Sequence, residues 1–314
     1  MRYSVVVPAH NESASIGPLY DAISPVMNDL SDADSWELIM IDDGSSDDTL
    51  KRLQDLRQRD DHVKVISFRR NFGQTAAWSA GFDHATGDLV IVLDADLQND
   101  PQDIPAMLAK MRAEDLDVIS GWRKDRKDKG GMVFLSKFGN YVHRLVTGEK
   151  IHDHGCSLKI YKKESLADLE LYGEMHRYIT ALLSWKGFKI GEMVVRHHPR
   201  QYGNSGYTLR KKLKGFLDLI VVKFWIQYST RPMHFFGSIG IVSIIAGVIL
   251  GGVLGALWLF RVIGLDGRST PLLAVLLVLL GFQFLLTGVL ADVVAKTYYM
   301  QKKAYSIKAA DGFK

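Results

Sequence analysis

A run of buried-strand residues, Leu89-Val90-Ile91-Val92-Leu93, leads straight into Asp94-Ala95-Asp96 and then Gln98. Two carboxylates and an amide oxygen therefore emerge where a hydrophobic strand ends. In an open α/β sheet, ligands bind beyond the carboxyl ends of the strands. A hard divalent cation such as Mg²⁺ or Mn²⁺ takes oxygen ligands there and keeps positions for substrate phosphates. The same residues also suit a plain turn ahead of a helix starting near Pro101, because short acidic side chains bond their own backbone. The flanking chain has to decide between the two.

Further carboxylates follow other hydrophobic runs: Glu12 after the first, Asp42 and Asp43 after the second. Carboxylates do not bind phosphate directly, but they accept hydrogen bonds from a base or a ribose and can hold the cation that neutralises a diphosphate. Asp42 and Asp43 also read as a cap for the following helix. No Gly-x-Gly-x-x-Gly follows the first strand, which disfavours a dinucleotide fold of the dehydrogenase type.

The elements that must position these groups are legible as alternating periodicities. Residues 3–7 read as a buried strand closed by Pro8. Ile16, Leu19, Tyr20, Ile23 and Met27 then recur at helical spacing, with Pro25 expected to bend or shorten that helix. Strands follow over 36–41, 63–68, 88–93 and 116–120. Helices are expected around Leu50, Leu53 and Leu56, and over 73–85 and 104–111. Strand and helix alternate over about 120 residues, which means a mainly parallel α/β sheet with helices on both faces.

Of the residues, 47% are hydrophobic, and the excess is gathered in two runs near the C-terminus. The net charge is +4, with Lys and Arg clustered beside those runs. That points to a membrane surface and away from nucleic acid, for which no motif is present. Cys156 is the single cysteine, so no intramolecular disulfide forms, which fits a reducing compartment. The N-terminal apolar run is too short for a signal-peptide core, so the first domain is expected in the cytosol.

Residues 235–260 comprise 26 positions without a charge. They form about 39 Å of helix, enough to cross ~30 Å of hydrocarbon. Residues 271–293 supply a second crossing after a short loop, making a two-helix transmembrane hairpin. Before it, Leu213, Phe216, Leu217, Ile220 and Phe224 oppose Arg210, Lys211, Lys212, Lys214 and Lys223, the pattern of a basic interfacial helix. Residues 132–145 show a weaker version that also reads as packing against the catalytic core. Lys296, Lys302, Lys303 and Lys308 outweigh Arg261 and Arg268, placing both chain ends in the cytosol at an inner or plasma membrane. The expected limits are 1–208 for the catalytic domain, 209–232 for the interfacial helix, 233–295 for the hairpin and 296–314 for a cytosolic tail. Gly247, Gly251 and Gly255 repeat every four residues, allowing close helix contact within the hairpin or in a homo-oligomer.

Four segments in order carry a resemblance: Val5-Val6-Val7-Pro8-Ala9-His10-Asn11-Glu12, Ile41-Asp42-Asp43-Gly44-Ser45-Ser46-Asp47-Asp48-Thr49, Arg70-Asn71-Phe72-Gly73-Gln74 and Leu93-Asp94-Ala95-Asp96-Leu97-Gln98. They resemble glycosyltransferase family 2, and within it the polyprenyl-phosphate glycosyltransferases. The resemblance continues through Asp153-His154-Gly155-Cys156-Ser157-Leu158-Lys159 and Arg200-Gln201-Tyr202-Gly203-Asn204-Ser205. It implies a GT-A fold, Rossmann-like, followed by membrane helices. It also implies that Pro8, Ala9, Asn11 and Glu12 line a nucleoside pocket with Asp42 and Asp43 near the base, and that Asp94, Asp96 and Gln98 hold Mg²⁺ or Mn²⁺. Arg123 matches a phosphate-contacting arginine, although it also reads as one more charge in the basic run 123–129. Asp153 is the carboxylate nearest Ser157, where relatives sometimes carry an acid, and is expected to act as an orienting group in the catalytic set with Asp96 and Arg123. Ser136 and Ser205 match acceptor-side positions. Two departures stand out: Met132 replaces a basic residue common in relatives, and 203–207 lack a lysine. Lys129, Lys159, Arg200 and Arg210 are left to supply phosphate contacts.

The chemistry implied is transfer of a sugar from a nucleotide-sugar, UDP favoured over GDP, to a polyprenyl phosphate. A phosphate monoester has a second pKa of about 6, so near neutral pH its oxygen is already ionised and no dedicated base is required. Direct displacement predicts inversion at the anomeric carbon. A processive polysaccharide synthase would share the N-terminal half, but should carry Gln-x-x-Arg-Trp and more spans. A non-catalytic membrane scaffold would tolerate loss of the acids, all of which are retained.

Overall fold

The structure is a computed structural model. It describes residues 1–30, 34–124, 151–167, 169, 171, 173, 175–199, 224, 228, 231–264 and 269–301. The chain divides into two compact units, Met1–Val222 and Lys223–Lys314.

In the first unit, β1 (Arg2–Ala9), α1 (Ile16–Asn28), β2 (Ser35–Asp42), α2 (Thr49–Arg59), β3 (Val63–Ser67), α3 (Gln74–His84), β4 (Leu89–Val92), α4 (Ile104–Ala113) and β5 (Val118–Trp122) follow the expected alternation. Then come β6 (Lys159–Lys162), α5 (Lys163–Leu166), α6 (Ile179–Trp185) and β7 (Ile190–Val194). The seven strands lie in the order β3-β2-β1-β4-β6-β5-β7. All neighbouring pairs are parallel except those of β6, which runs antiparallel to both β4 and β5. The sequence reading missed β6 and β7. β6 is only Lys-Ile-Tyr-Lys, too short to show a period of its own.

Successive side chains of a strand point to opposite faces, and both faces of this sheet are covered. Val5 and Val7 of β1 pack with Ile16, Leu19, Ile23 and Met27 of α1. Val6 packs instead with Ala77, Trp78 and Phe82 of α3. This two-sided burial is why the strands read as continuous apolar runs. Pro25 does not shorten α1, which continues for three residues beyond it. The carbonyl of Pro25 accepts from Asp29 N–H, and buried Met27 outweighs the one hydrogen bond that proline cannot donate.

The second unit contains α7 (Pro232–Leu259) and α8 (Thr270–Gln301). Both are long and apolar enough to cross a membrane, with mean hydropathy of 2.4 and 2.5 in their most apolar windows. Their side chains are largely outward-facing, Val242, Ile249, Leu272 and Leu290 among them, unlike a core helix of a water-soluble domain. The pair closes through glycines. A Cβ at Gly240 would lie 2.7 Å from the Gly281 carbonyl oxygen, and one at Gly247 2.8 Å from that of Ala274. Gly251 makes only ordinary contact, at 3.8 Å from Ala274, and nothing lies within 4 Å of Gly255. Of the expected four-residue repeat, Gly247 alone serves close packing within the hairpin. α8 also runs past the expected end of the span, to Gln301, since no Gly or Pro interrupts it there.

Met132, Ser136, Arg200, Ser205 and Arg210, the basic run after Lys124, the stretches 132–145 and 209–223, the limit at 208 and the tail beyond 301 lie outside the described residues.

Candidate active site

The ends of β1, β2 and β4 meet at one edge of the sheet. Ala9 pairs with Asp42 in the β1–β2 register, and Val6 with Val92 in the β1–β4 register. Asp94 and Asp96 therefore emerge beside the segment carrying Asn11 and Glu12. Leu97 adopts φ +58°, a left-handed conformation that costs a branched side chain about 1–3 kcal/mol. It turns the chain so that Asp96 Oδ1 accepts from Gln98 N–H at 3.2 Å. The turn foreseen for a short acid is thus present, but it does not involve Asp94.

Asp94 is half-buried and accepts from Gln74 Nε2 at 2.6 Å and from the Ser157 hydroxyl. Burial, followed by the neighbouring charge of Asp96, pushes its carboxyl up to about 6, while Ser157, Arg123 and Lys159 pull it back. Ser157 Oγ accepts from Asn99 Nδ2 at 2.7 Å, leaving its proton for Asp94. Two acids are thus held against their own repulsion, the chemistry of a cation site. Among the described residues, no three His, Cys, Asp or Glu side chains converge on one point. Two paired carboxylates are oxygen donors of the kind that a hard divalent cation takes.

Lys159 is 2% exposed and donates to the His154 carbonyl at 3.2 Å, with its ammonium 5.9 Å from the Trp78 ring centre. Lys159, expected among the phosphate-binding residues, is thus a buried cation whose charge acts on Asp94. The two oxygens of Asp153 take Arg123 Nε at 2.7 Å and Nη2 at 3.0 Å, and Arg123 N–H adds a third bond at 3.2 Å. The structure thus brings together Asp153, expected as an orienting group, and Arg123. Cys156 is buried beside Asn99, and burial pushes its thiol up to about 11, so it is a packing residue.

The residues expected to line a nucleoside pocket come together, held by their own chain. Asp42 accepts from Ser45 N–H at 3.1 Å and Ser67 Oγ at 3.0 Å. Asp43 accepts from Phe72 N–H at 2.6 Å and Gly73 N–H at 2.9 Å, pinning the loop before α3. Neither caps α2. The N-cap position is Asp48, and Asp47 accepts from Thr49 N–H at 3.0 Å just ahead of it. Gly44, at φ +63°, lets the Arg70 backbone approach to where a Cβ would sit 2.3 Å away. Asn11 Oδ1 accepts from Ser46 N–H at 2.8 Å, and Glu12 Oε2 from Ser15 Oγ at 3.0 Å. Pro8 is half-buried. Ala9 is buried, its carbonyl accepting from Asp43 N–H at 2.9 Å.

Sequence reasoning missed Gln74, Asn99 and Ser157 as partners in the Asp94 network. Gln74 had a signal, since it closes the Arg70–Gln74 segment at the start of α3. Ser157 lies in the Asp153–Lys159 segment, at a position where relatives sometimes carry an acid, and Asn99 had no signal.

A mostly parallel sheet with acids gathered at its strand ends is a GT-A-like glycosyltransferase architecture. Residues 4–170 match the family described as Glycosyl transferase family 2, and the chain belongs to that family. It is 41% identical over 313 residues to the dodecaprenyl-phosphate galacturonate synthase of Rhizobium johnstonii, covering 95% of this chain and 89% of that one. It is 33% identical over 305 residues to the undecaprenyl-phosphate 4-deoxy-4-formamido-L-arabinose transferase of Proteus mirabilis, with the same coverage of 95% and 89%. In fold it is similar to glucosyl-3-phosphoglycerate synthase from Mycobacterium tuberculosis, crystallised with Mn²⁺ and UDP-glucose. The TM-score is 0.54 at 20% identity, over 73% of this chain and 81% of that one.

Proposed function

We propose that this enzyme transfers a sugar from a nucleotide-sugar, UDP-linked in preference to GDP-linked, to a polyprenyl phosphate at the cytosolic face of a membrane. The observation that carries the reading is the Asp94–Asp96 pair at the end of β4, two acids kept close at the cost of a raised carboxyl pKa. The names of the two relatives support the acceptor class. The Mn²⁺ and UDP-glucose bound by the mycobacterial enzyme support the donor and the metal.

Asp94, Asp96 and Gln98 would hold Mg²⁺ or Mn²⁺, which supplies charge stabilisation to the leaving diphosphate. The remaining work belongs to the chain. Gln74 and Ser157 orient Asp94. Arg123, fixed in plane by Asp153, presents a guanidinium suited to a phosphate oxygen. Asn11, Glu12, Asp42 and Asp43 shape the nucleoside end. The acceptor phosphate is ionised near neutral pH and attacks without a dedicated base, so positioning dominates catalysis and the anomeric centre inverts. In the second unit, Phe224, Tyr228, Phe235 and Phe236 form an aromatic group at the start of α7 near Arg231, as suits a membrane–water boundary. That supports a membrane-spanning hairpin, and the excess of lysines flanking it over Arg261 and Arg268 supports both ends being cytosolic. The glycine face left open around Gly255 supports homo-oligomerisation, which a monomeric mass in detergent would exclude.

The test is transfer of labelled sugar from a panel of UDP- and GDP-sugars to undecaprenyl phosphate, with and without Mg²⁺ or Mn²⁺, beside an Asp96→Ala control. Metal-dependent, inverted, lipid-linked product that disappears in the control is the expected result. Folded protein that labels no lipid with any donor would sink the reading.

A further inference from the structure

We infer that Glu192, on β7, is a positioning residue that fixes Arg123 by clamping the turn carrying His152 and Asp153. One oxygen of Glu192 accepts from two backbone N–H groups, His152 at 2.9 Å and Asp153 at 3.0 Å. Its other oxygen meets His152 Nδ1 at 2.8 Å. The His152 ring lies flat on Trp122, with centroids 4.3 Å apart and planes 15° from parallel. Trp122 is the residue before Arg123, whose backbone and guanidinium both end on Asp153.

These contacts close a circuit. β5 carries Trp122 and Arg123, Arg123 grips Asp153, the Asp153 turn grips Glu192, and Glu192 returns through β7 to β5, opposite Ser120. A bidentate carboxylate sets the plane of a guanidinium only if the carboxylate is itself immobile. Asp153 sits on a turn, outside any helix or strand, and so cannot supply that immobility alone. Glu192 supplies it from a strand, with 12% of its side chain exposed. Burial of this carboxylate is matched by three donors, which is the arrangement of a clamp. The inference rests on the proposed function in one respect, that Arg123 faces the reacting phosphates.

The test is a double-mutant cycle on the full-length protein in detergent, reading donor kcat/KM, acceptor KM and UDP binding in the presence of Mn²⁺. Glu192→Ala is expected to lower donor kcat/KM about tenfold through misplacement of Arg123, with acceptor KM unchanged. Glu192→Gln still offers an oxygen to both N–H groups and is expected to recover to within about threefold. In an Arg123→Ala background, Glu192→Ala is expected to add no further loss, because residues acting through one group are non-additive. Glu192→Asp, which draws the acceptor back by one carbon, takes its place in the cycle should Glu192→Ala unfold. An undiminished kcat/KM, or the same loss with and without Arg123, would overturn the inference while leaving the transferase reading intact. Wild-type protein that neither binds UDP nor transfers sugar would overturn both.

Discussion

Two pairs of aspartates stand at the ends of β2 and β4, on either side of β1, and are used in opposite ways. Asp42, the last residue of β2, and Asp43 each accept two hydrogen bonds from their own chain, through Ser45, Ser67, Phe72 and Gly73. Asp94, after β4, lies within the field of Asp96 and carries a raised carboxyl pKa. A carboxylate surrounded by N–H and O–H donors is stable as an anion and builds the loop around it. A carboxylate beside another carboxylate is under electrostatic load, which a cation relieves. The first pair builds its own loop, and the second is the pair for which a cation site is proposed.

The comparison can be broken by experiment. Asp96→Asn is expected to reduce transfer by roughly 10³-fold, in the range seen when one charge-stabilising group is removed. Its unfolding temperature should equal or exceed that of the wild type, since repulsion is relieved; a large drop would place Asp96 with the structural acids. Asp43→Ala should do the reverse. It strands two backbone N–H groups and is expected to cost about 2–4 kcal/mol in denaturant unfolding, with activity falling only as far as the pocket loosens.

Acid provides a third test, through another carboxylate owned by the fold. Burial pushes Glu37 up, but Lys64, Ser4 and Thr86 more than compensate and hold it at about 2, below its ordinary 4.5. Its folded form therefore binds fewer protons than the unfolded chain. The stability it confers is complete above pH 4.5 and is lost as pH falls towards 2, of order 3 kcal/mol in all. Stability measured against pH should flatten over that window in Glu37→Gln, and an unchanged profile would contradict the assignment. The smallest effect belongs to Ser157→Ala, which removes one donor from Asp94. A loss of about 1 kcal/mol of orientation, roughly fivefold in rate, is expected, with a stability loss of about 1–3 kcal/mol because buried Asn99 Nδ2 loses its acceptor.

Much of the first unit was legible because its strands are buried on both faces and its helices carry an apolar stripe. The parallel order followed from the alternation itself. β6 was not legible: four residues flanked by lysines show no period, and its antiparallel placement depends on β4 and β5 flanking it. At the site, Asp94 and Asp96 were visible as acids ending an apolar run. The burial of Lys159 and the pairing of Asp153 with Arg123 were not, since a lysine or an aspartate in a polar segment reads the same whether it faces solvent or a partner 30 residues away.

The sequence by itself determined the α/β alternation, the acids at the strand ends and the two apolar helices, because each depends on local periodicity or on a run of uncharged residues. Tertiary structure decided which acids are consumed and which are left under load. The donors to Asp43 come from Phe72 and Gly73, while those that orient Asp94 come from Gln74 and Ser157. Hydrogen-bond pairing is a property of neighbours in space, and only the folded chain assigns those neighbours.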